Sequence, residues 1–130
     1  MITLDDRHCL SCEWTLEGGL EATQRMTVSS DRHADDGSDG IGVLCLADTI
    51  ALGALRAFSA LGVRVIGFDG LTFGAYSHPS LSTIEMDVPA MADTVITRLV
   101  STIEAQAAHK PPADPMHADI PFRLIQRESS

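Results

Sequence analysis

The sequence predicts an α/β fold of three layers (αβα), in which helices cover both faces of a mostly parallel sheet, and three observations support this. Residues 41–46 form an unbroken apolar run, which is typical of a strand buried on both faces of a parallel sheet. Residues 64–68, Arg-Val-Ile-Gly-Phe, predict a second buried strand. Between them, apolar side chains recur every three or four residues from 48 to 61, which indicates an amphipathic helix. Strand, helix and strand in quick succession are typical of an α/β fold.

The ends of this helix and of the second strand carry local signals. Asp48 is placed to cap the helix at its start, and Gly62 is placed to end it in the left-handed conformation. Asp69 and Gly70 turn the chain at the carboxyl end of the second strand. Ligands of parallel sheets bind outside the carboxyl ends of the strands, so a site is expected at this edge.

Upstream of the first strand, the spacing of apolar residues predicts a short helix over 16–26. Gly18 and Gly19 weaken this helix by roughly 1 kcal/mol each relative to alanine, unless close packing requires them. Residues 29–40 contain no large apolar side chain and predict a solvated, mobile acidic loop.

Downstream, residues 81–86 predict a third strand and residues 89–108 a long helix. A Pro-rich connector at 109–117 precedes a last strand over 120–126, which Pro121 confines to an edge or a bulge. One apolar stripe runs along the long helix: Met91, Ala92, Val95, Ile96, Leu99, Val100, Ile103 and Ala107. Because monomers rarely leave so large an apolar patch in water, the helix at 89–108 should either fold back onto the sheet or pack against a second copy of the chain. We favour the second alternative, which predicts a homo-oligomer.

Composition excludes several classes of function. The 130 residues include 18 acidic and 9 basic side chains, a net charge of −9, so this chain alone is not expected to bind DNA. No apolar stretch approaches the roughly 18–20 residues of a membrane span, and no secretory signal is visible at the start. Three cysteines without an export signal indicate a cytoplasmic protein.

Several motifs occur in the order found in one family of bacterial regulators. They are Asp48-Thr49-Ile50-Ala51-Leu52-Gly53-Ala54, Gly67-Phe68-Asp69, Pro79-Ser80-Leu81-Ser82-Thr83-Ile84 and Arg127-Glu128-Ser129. This pattern resembles the effector-binding domain of the lactose-repressor/galactose-repressor (LacI/GalR) family. The resemblance covers residues 13–130, leaves 1–12 unmatched, and implies part of a periplasmic-binding-protein-like sensor without its DNA-binding headpiece. The implied function is sensing of a small sugar-like or nucleoside-like effector in transcriptional regulation.

The resemblance also implies which residues would contact the effector. Asp69 stands where the family's carboxylate accepts hydrogen bonds from ligand hydroxyls, and Trp14 where an aromatic ring faces the sugar. Asp48 matches the second residue of the family's Asn-Asp pair and has a possible role facing the site. Ala47 and Met86 replace an asparagine and a glutamine that contact ligands in the family, so binding is expected to be weak. No metal, cofactor or catalytic residue is implied.

Two other functions remain open. The chain could be a degenerate fragment or an accessory protein that binds no effector and acts by protein association. It could also be a phosphatase-like α/β enzyme with Asp69 as nucleophile, although Leu71 stands where a second carboxylate is needed.

The cysteine and acidic motifs upstream each lack a feature that a redox, zinc or calcium site requires. Cys9 and Cys12 have the spacing of a redox pair, but no apolar strand precedes them. A zinc site from His8, Cys9, Cys12 and His33 would lack a second spaced pair. The acidic residues at 31–39 do not match a calcium loop, because the turn glycine is displaced and no glutamate closes the loop.

Overall fold

In the computed structural model of the chain, the described residues are 8–29, 41–58, 63–109 and 117–130. They include the helices α1 (Leu16–Ser29), α2 (Asp48–Phe58) and α3 (Val88–Ala107). The strands are β1 (Gly42–Leu44), β2 (Arg64–Phe68), β3 (Ser82–Met86) and β4 (Phe122–Ile125), and a short 3-10 helix spans Thr72–Tyr76. The α/β class predicted from the sequence is confirmed. The predicted helix end at Gly62, the acidic loop beyond Ser29 and most of the Pro-rich connector lie outside the described residues.

The strands form one four-stranded mixed sheet in the order β1-β2-β3-β4. β1 pairs with β2 in parallel, and β2 pairs with β3 in parallel. The register aligns Val43 with Val65 and Gly67 with Thr83. The last strand is at an edge, as Pro121 predicted.

The prediction that the first strand is buried on both faces is wrong. Leu44 is 61% exposed and Leu46 is 66% exposed, whereas Val43 and Cys45 pack into or against the core. β1 is the outermost strand of the described sheet. Val43 and Cys45 face the core, whereas Leu44 and Leu46 alternate with them and face the other side of the sheet. The regular strand is also shorter than the apolar run that predicted it.

Helices α1 and α2 approach each other closely at two glycines. A Cβ atom on Gly19 would collide with the carbonyl oxygen of Ile50, and one on Gly53 with the carbonyl oxygen of Leu16. The hydroxyl of Thr23, which is buried, donates to the carbonyl of Gly19 at 2.8 Å and so needs no partner outside α1. Glycine has a low helix propensity, but the close packing of α1 on α2 requires one at position 19.

Beneath these helices, the core forms between α2 and the inner face of β2. Ala51, Ala54 and Phe58 lie on the buried side of α2 and pack with Val65 and Leu81. This is the amphipathic pattern predicted for α2, and it fixes the orientation of the strands whose carboxyl ends carry the predicted site.

The C-terminal residues Arg127–Ser130, here called the C-terminal clasp, bind β2 and β3. The hydroxyl of Ser129 accepts from the N–H of Ser82 at 2.8 Å and donates to the carbonyl of Val65 at 2.6 Å. Arg127 donates to the carbonyl of Leu81 at 2.5 Å through its guanidinium. Since Ser129 is buried, its hydroxyl is an integral part of this end of the sheet.

The chain divides into two compact units, and the second, residues 86–123, contains α3. Asp87 caps α3 by accepting from the N–H of Ala90 at 3.0 Å, and Pro89 lies in the first turn, where a missing N–H costs nothing. No α3 residue is buried, so the predicted apolar stripe, from Val95 to Ile103, is largely exposed. No helix among the described residues is both long enough and apolar enough to cross a bilayer.

Candidate functional site

Asp48 is fully buried at the start of α2, and its carboxylate bridges two other segments. One oxygen accepts from the hydroxyl of Thr83 on β3 at 2.6 Å, and the other accepts from the N–H of Leu71 at 2.7 Å. The prediction that Asp48 caps α2 is wrong, because Asp48 is the first helical residue and its oxygens point away from the helix. Ala47 precedes the helix instead, and alanine has no side-chain acceptor for a cap.

Gly67 provides the room that this bridge requires. A Cβ atom on Gly67 would collide with the Oδ1 atom of Asp48, so any other residue would displace the carboxylate. The register places Thr83 directly beside Gly67 on the neighbouring strand. The carboxylate of Asp48 therefore passes over β2 at its one residue without a side chain and reaches β3.

Three hydrogen bonds fix the turn that follows β2, residues 69–71, here called the pinned turn. The N–H of Asp69 donates to the carbonyl of Ile84 at 3.0 Å, and the N–H of Gly70 donates to the hydroxyl of Thr83 at 3.2 Å. The N–H of Leu71 donates to Asp48. Each backbone N–H of this turn thus has a partner on another element, which makes the turn a rigid support.

Asp69 occupies this turn in a backbone conformation that residues other than glycine rarely adopt. Its φ is +123°, and its side chain is exposed. Holding a residue with a Cβ atom in such a region costs on the order of 1–3 kcal/mol, and such strain is concentrated at functional sites. Within the described part of the chain, its carboxylate accepts no hydrogen bond, so both oxygens are available to a ligand.

Trp14 lies just before α1 and is 69% exposed. Thr15 begins the helix by accepting from the N–H of Gly18 at 2.9 Å, which holds this entry in place. A cavity of about 380 Å³ lies here, lined by Ser11, Cys12, Glu13, Gly18, Glu21 and Arg25. None of the predicted site residues lines it, and no described contact joins Trp14 to Asp69.

The two remaining predicted site residues are placed differently. Ala47 is buried beside Asp48 and is only 3% exposed. Met86 is the last residue of β3, half-buried, and belongs to the second compact unit. Of the five predicted residues, the structure brings Ala47, Asp48 and Asp69 together around the carboxyl ends of β1 and β2.

The cysteines show no metal site in the described part of the chain. No group of three or more histidine, cysteine or acidic side chains there could hold an ion. Cys9 is exposed and Cys12 half-buried, whereas burial and the nearby Cys12 and Asp48 raise the pKa of the Cys45 thiol to about 11. Cys45 is therefore a protonated core residue. His33 and the acidic residues at 31–39 lie outside the described residues.

Sequence reasoning missed the roles of Thr83 and Gly67. Thr83 is the shared partner of Asp48 and of the pinned turn, and Gly67 gives the carboxylate its path. The signal was present, because both residues lie in the motifs that carry the family resemblance. Their function was hidden because it depends on strand register, which the motifs do not state.

The family model of the periplasmic binding protein-like domain matches residues 5–130. Among curated proteins, the HTH-type transcriptional regulator MalR of Streptomyces coelicolor is 35% identical over 96 residues, which cover 69% of this chain and 25% of that protein. The chain thus spans about a quarter of this relative's length. Such relatives are transcriptional regulators and not enzymes, as the sequence predicted for this chain; the phosphatase-like alternative gains no support.

Solved structures agree with this match. A putative LacI-family transcriptional regulator from Sanguibacter keddieii aligns with a TM-score of 0.76 and 30% identity, covering 98% of this chain and 47% of that chain. A LacI-family regulator from Enterococcus faecalis, solved with bound ribose, aligns with a TM-score of 0.67 and 25% identity, covering 92% and 42%. The matched fold is therefore shared over nearly the whole of this chain and under half of each neighbour.

Proposed function

Because this chain belongs to the periplasmic binding protein-like domain family, as the effector-binding domains of LacI/GalR regulators do, we propose that it senses a small sugar-like or nucleoside-like effector in transcriptional regulation. The proposed setting is the cytoplasm. The effector is recognised at the carboxyl ends of the strands, where ligands of such sheets bind.

The observation that carries this proposal is the state of Asp69. Its carboxylate is exposed at the carboxyl end of β2, on a turn whose three N–H groups are already bound. A carboxylate offers about four lone-pair sites, so it can accept from two neighbouring hydroxyls of a sugar ring. A rigid support lowers the entropy cost of that contact, because the acceptor is ordered before the ligand arrives.

The other residues set a low affinity. Trp14 supplies an exposed aromatic face for the apolar side of a sugar. Ala47 and Met86 offer no side-chain amide, so few polar groups converge on the ligand. The expected dissociation constant is on the order of millimolar.

Calorimetry against ribose, lactose, other mono- and disaccharides and a nucleoside tests this proposal. We expect a weak binder in the panel, and Asp69→Ala is expected to abolish its heat of binding. Asp93→Ala is the matched control, since it removes an exposed carboxylate from α3 and leaves the pinned turn intact. Micromolar binding that survives Asp69→Ala would show that the effector binds elsewhere. No binding by any sugar would favour the degenerate, non-binding alternative.

Specific DNA binding is not part of the proposed function of this chain alone. Its net charge of −9 opposes phosphate contacts, which supply most of the affinity of DNA-binding proteins. A mobility-shift experiment with micromolar protein at low salt is expected to show no shift. A sequence-specific, salt-sensitive shift would contradict this.

We further propose that the chain self-associates through α3, the structural basis for the alternative that it acts by protein association. Val95, Ile96, Leu99, Val100 and Ile103 are all exposed on this helix. Burying apolar surface is favourable at roughly 25 cal/mol per Å², so a second copy of the same stripe is a suitable partner. Light scattering after size exclusion is expected to report a dimer or larger, and Leu99→Glu with Ile103→Glu is expected to give a monomer. A wild-type monomer would contradict self-association.

A further inference from the structure

The backbone of Asp69 is held on both sides by groups of β3. Its own N–H donates to the carbonyl of Ile84 at 3.0 Å, and the N–H of the next residue, Gly70, donates to the hydroxyl of Thr83 at 3.2 Å. These two bonds orient the peptide planes on either side of Asp69, and together they hold its φ at +123°. Glycine adopts a positive φ readily, but aspartate keeps one only where its surroundings impose it.

Thr83 can hold Gly70 because Asp48 orients the threonine hydroxyl. A hydroxyl has one hydrogen to donate and two lone pairs that accept. Thr83 donates its hydrogen to the Asp48 carboxylate at 2.6 Å, whereas the carbonyl oxygen of Ile84 lies 3.4 Å from the same hydroxyl. The short bond to the carboxylate takes the hydrogen and leaves a lone pair for the N–H of Gly70. Since Thr83 and Asp48 are both 0% exposed, water does not compete for these bonds.

This arrangement determines where the Asp69 carboxylate points. The backbone sets the direction of a Cα–Cβ bond, so a change of φ from +123° to the negative values that aspartate prefers would swing the side chain away. We propose that Thr83 is a positioning residue for effector binding: its hydroxyl, bound to Asp48, holds Asp69 in the conformation that presents the carboxylate. The role in effector binding rests on the proposed function, whereas the hold on Asp69 does not.

A double-mutant cycle on unfolding temperature tests the hold on Asp69 without any ligand. Asp69→Gly relieves the strain and is expected to raise the unfolding temperature of the wild type. Thr83→Val removes the hydroxyl and frees the turn, so Asp69 relaxes by itself and Asp69→Gly should then give no further gain. Ser82→Ala is the matched control, because it also removes a buried hydroxyl of β3 that takes part in two hydrogen bonds, here with Arg127 and Ser130. In that background the gain from Asp69→Gly should equal the gain in the wild type.

An equal gain from Asp69→Gly in the wild-type and Thr83→Val backgrounds would overturn the proposal, because Thr83 would then not maintain the strain. The absence of any gain in the wild type would also overturn it, since there would be no strain to maintain. If Thr83→Val does not fold, Thr83→Ala replaces it, because alanine removes the hydroxyl without placing a methyl group beside Asp48. Thr83→Ser keeps the hydroxyl and should behave as the wild type does in the cycle.

Calorimetric titration, with the sugar that gives the largest heat of binding in the panel, tests the role of Thr83 in recognition. Thr83→Val is expected to weaken binding by about tenfold or more, whereas Ser82→Ala and Thr83→Ser should bind as the wild type does. Unchanged affinity of Thr83→Val would overturn the positioning role. If no sugar binds to the wild type, the proposed function fails and the role of Thr83 in recognition fails with it, while the temperature cycle still decides whether Thr83 holds Asp69.

Discussion

Asp48 and Asp69 follow neighbouring parallel strands, yet the structure uses them in opposite ways. Asp48 is fully buried, and both of its oxygens accept hydrogen bonds from Thr83 and Leu71. Asp69 is exposed and strained, and it contributes to the protein through its backbone N–H alone. A carboxylate whose acceptors are filled stabilises the fold, and one held open on a rigid turn is available for recognition. We therefore expect Asp48 to support the stability of the fold and Asp69 to make the proposed contact with the effector.

Removing the Asp48 carboxylate is expected to have the largest effect on stability. Asp48→Ala leaves the Thr83 hydroxyl and the Leu71 N–H without their charged partner, and each such bond contributes about 1.5–3 kcal/mol. We expect the free energy of unfolding to fall by about 3–5 kcal/mol in urea titrations. Asp93→Ala should change it by less than about 0.5 kcal/mol. A loss below about 1 kcal/mol for Asp48→Ala would mean that the bridge is not a main support of the fold.

Ser129→Ala tests the other end of the same two strands. It removes one acceptor and one donor from the buried C-terminal clasp, leaving the N–H of Ser82 and the carbonyl of Val65 unpaired. The expected loss is about 1–3 kcal/mol by urea unfolding. Ser101→Ala is the control, because that hydroxyl is exposed on α3 and bonds only within its helix. If both variants lost the same free energy of unfolding, the buried hydroxyl of Ser129 would be no more important than the exposed hydroxyl of Ser101.

Asp69→Gly is expected to raise stability. Glycine adopts positive φ without strain, and the relief exceeds the entropy cost of a glycine by about 1 kcal/mol. Asp69→Ala keeps a Cβ atom and so should give no such gain. Differential scanning calorimetry of the two variants separates backbone strain from loss of the carboxylate. Destabilisation by Asp69→Gly would show that the side chain supports the fold.

Glu128→Gln gives the smallest effect and a defined pH dependence. The N–H and hydroxyl of Ser80 donate to Glu128 at 2.8 and 3.0 Å, and these bonds hold the pKa of this exposed carboxyl below its usual range. A lowered pKa in the folded state stabilises the protein above the usual glutamate pKa, and the benefit is lost as the pH falls through the lowered value. Wild type and Glu128→Gln should therefore differ slightly in urea midpoint at neutral pH and converge in acid. A difference that grows on acidification would contradict this.

Much of the fold could be predicted from local pattern. The helical spacing of apolar residues located α2 and α3, and short segments that follow the turn residues Gly62 and Pro79 located β2 and β3. The same pattern failed at β1: apolarity indicates that a strand can be buried, but not whether a neighbour is present on each side. Leu44 is exposed for that reason.

The sequence predicted that Asp48 and Asp69 lie at the carboxyl ends of the strands, but not the hydrogen bonds that Asp48 makes. The motifs pointed to Asp48 and Asp69 at the carboxyl ends of the strands. Whether Asp48 caps its own helix or reaches β3 depends on the register between Gly67 and Thr83. Thr83 lies 35 residues beyond Asp48 in the sequence. No local propensity contains that information.

Thermal unfolding of wild type and Asp69→Gly, each with and without the sugar that gives the largest heat of binding in the calorimetric panel, tests most directly whether Asp48 and Asp69 have different roles. At a sugar concentration of about 100 times the dissociation constant, binding should stabilise the wild type by about 2.7 kcal/mol. Without sugar, Asp69→Gly should unfold at a higher temperature than the wild type, and it should gain no stability from the sugar. Equal stabilisation of both proteins by the sugar would contradict the role proposed for Asp69.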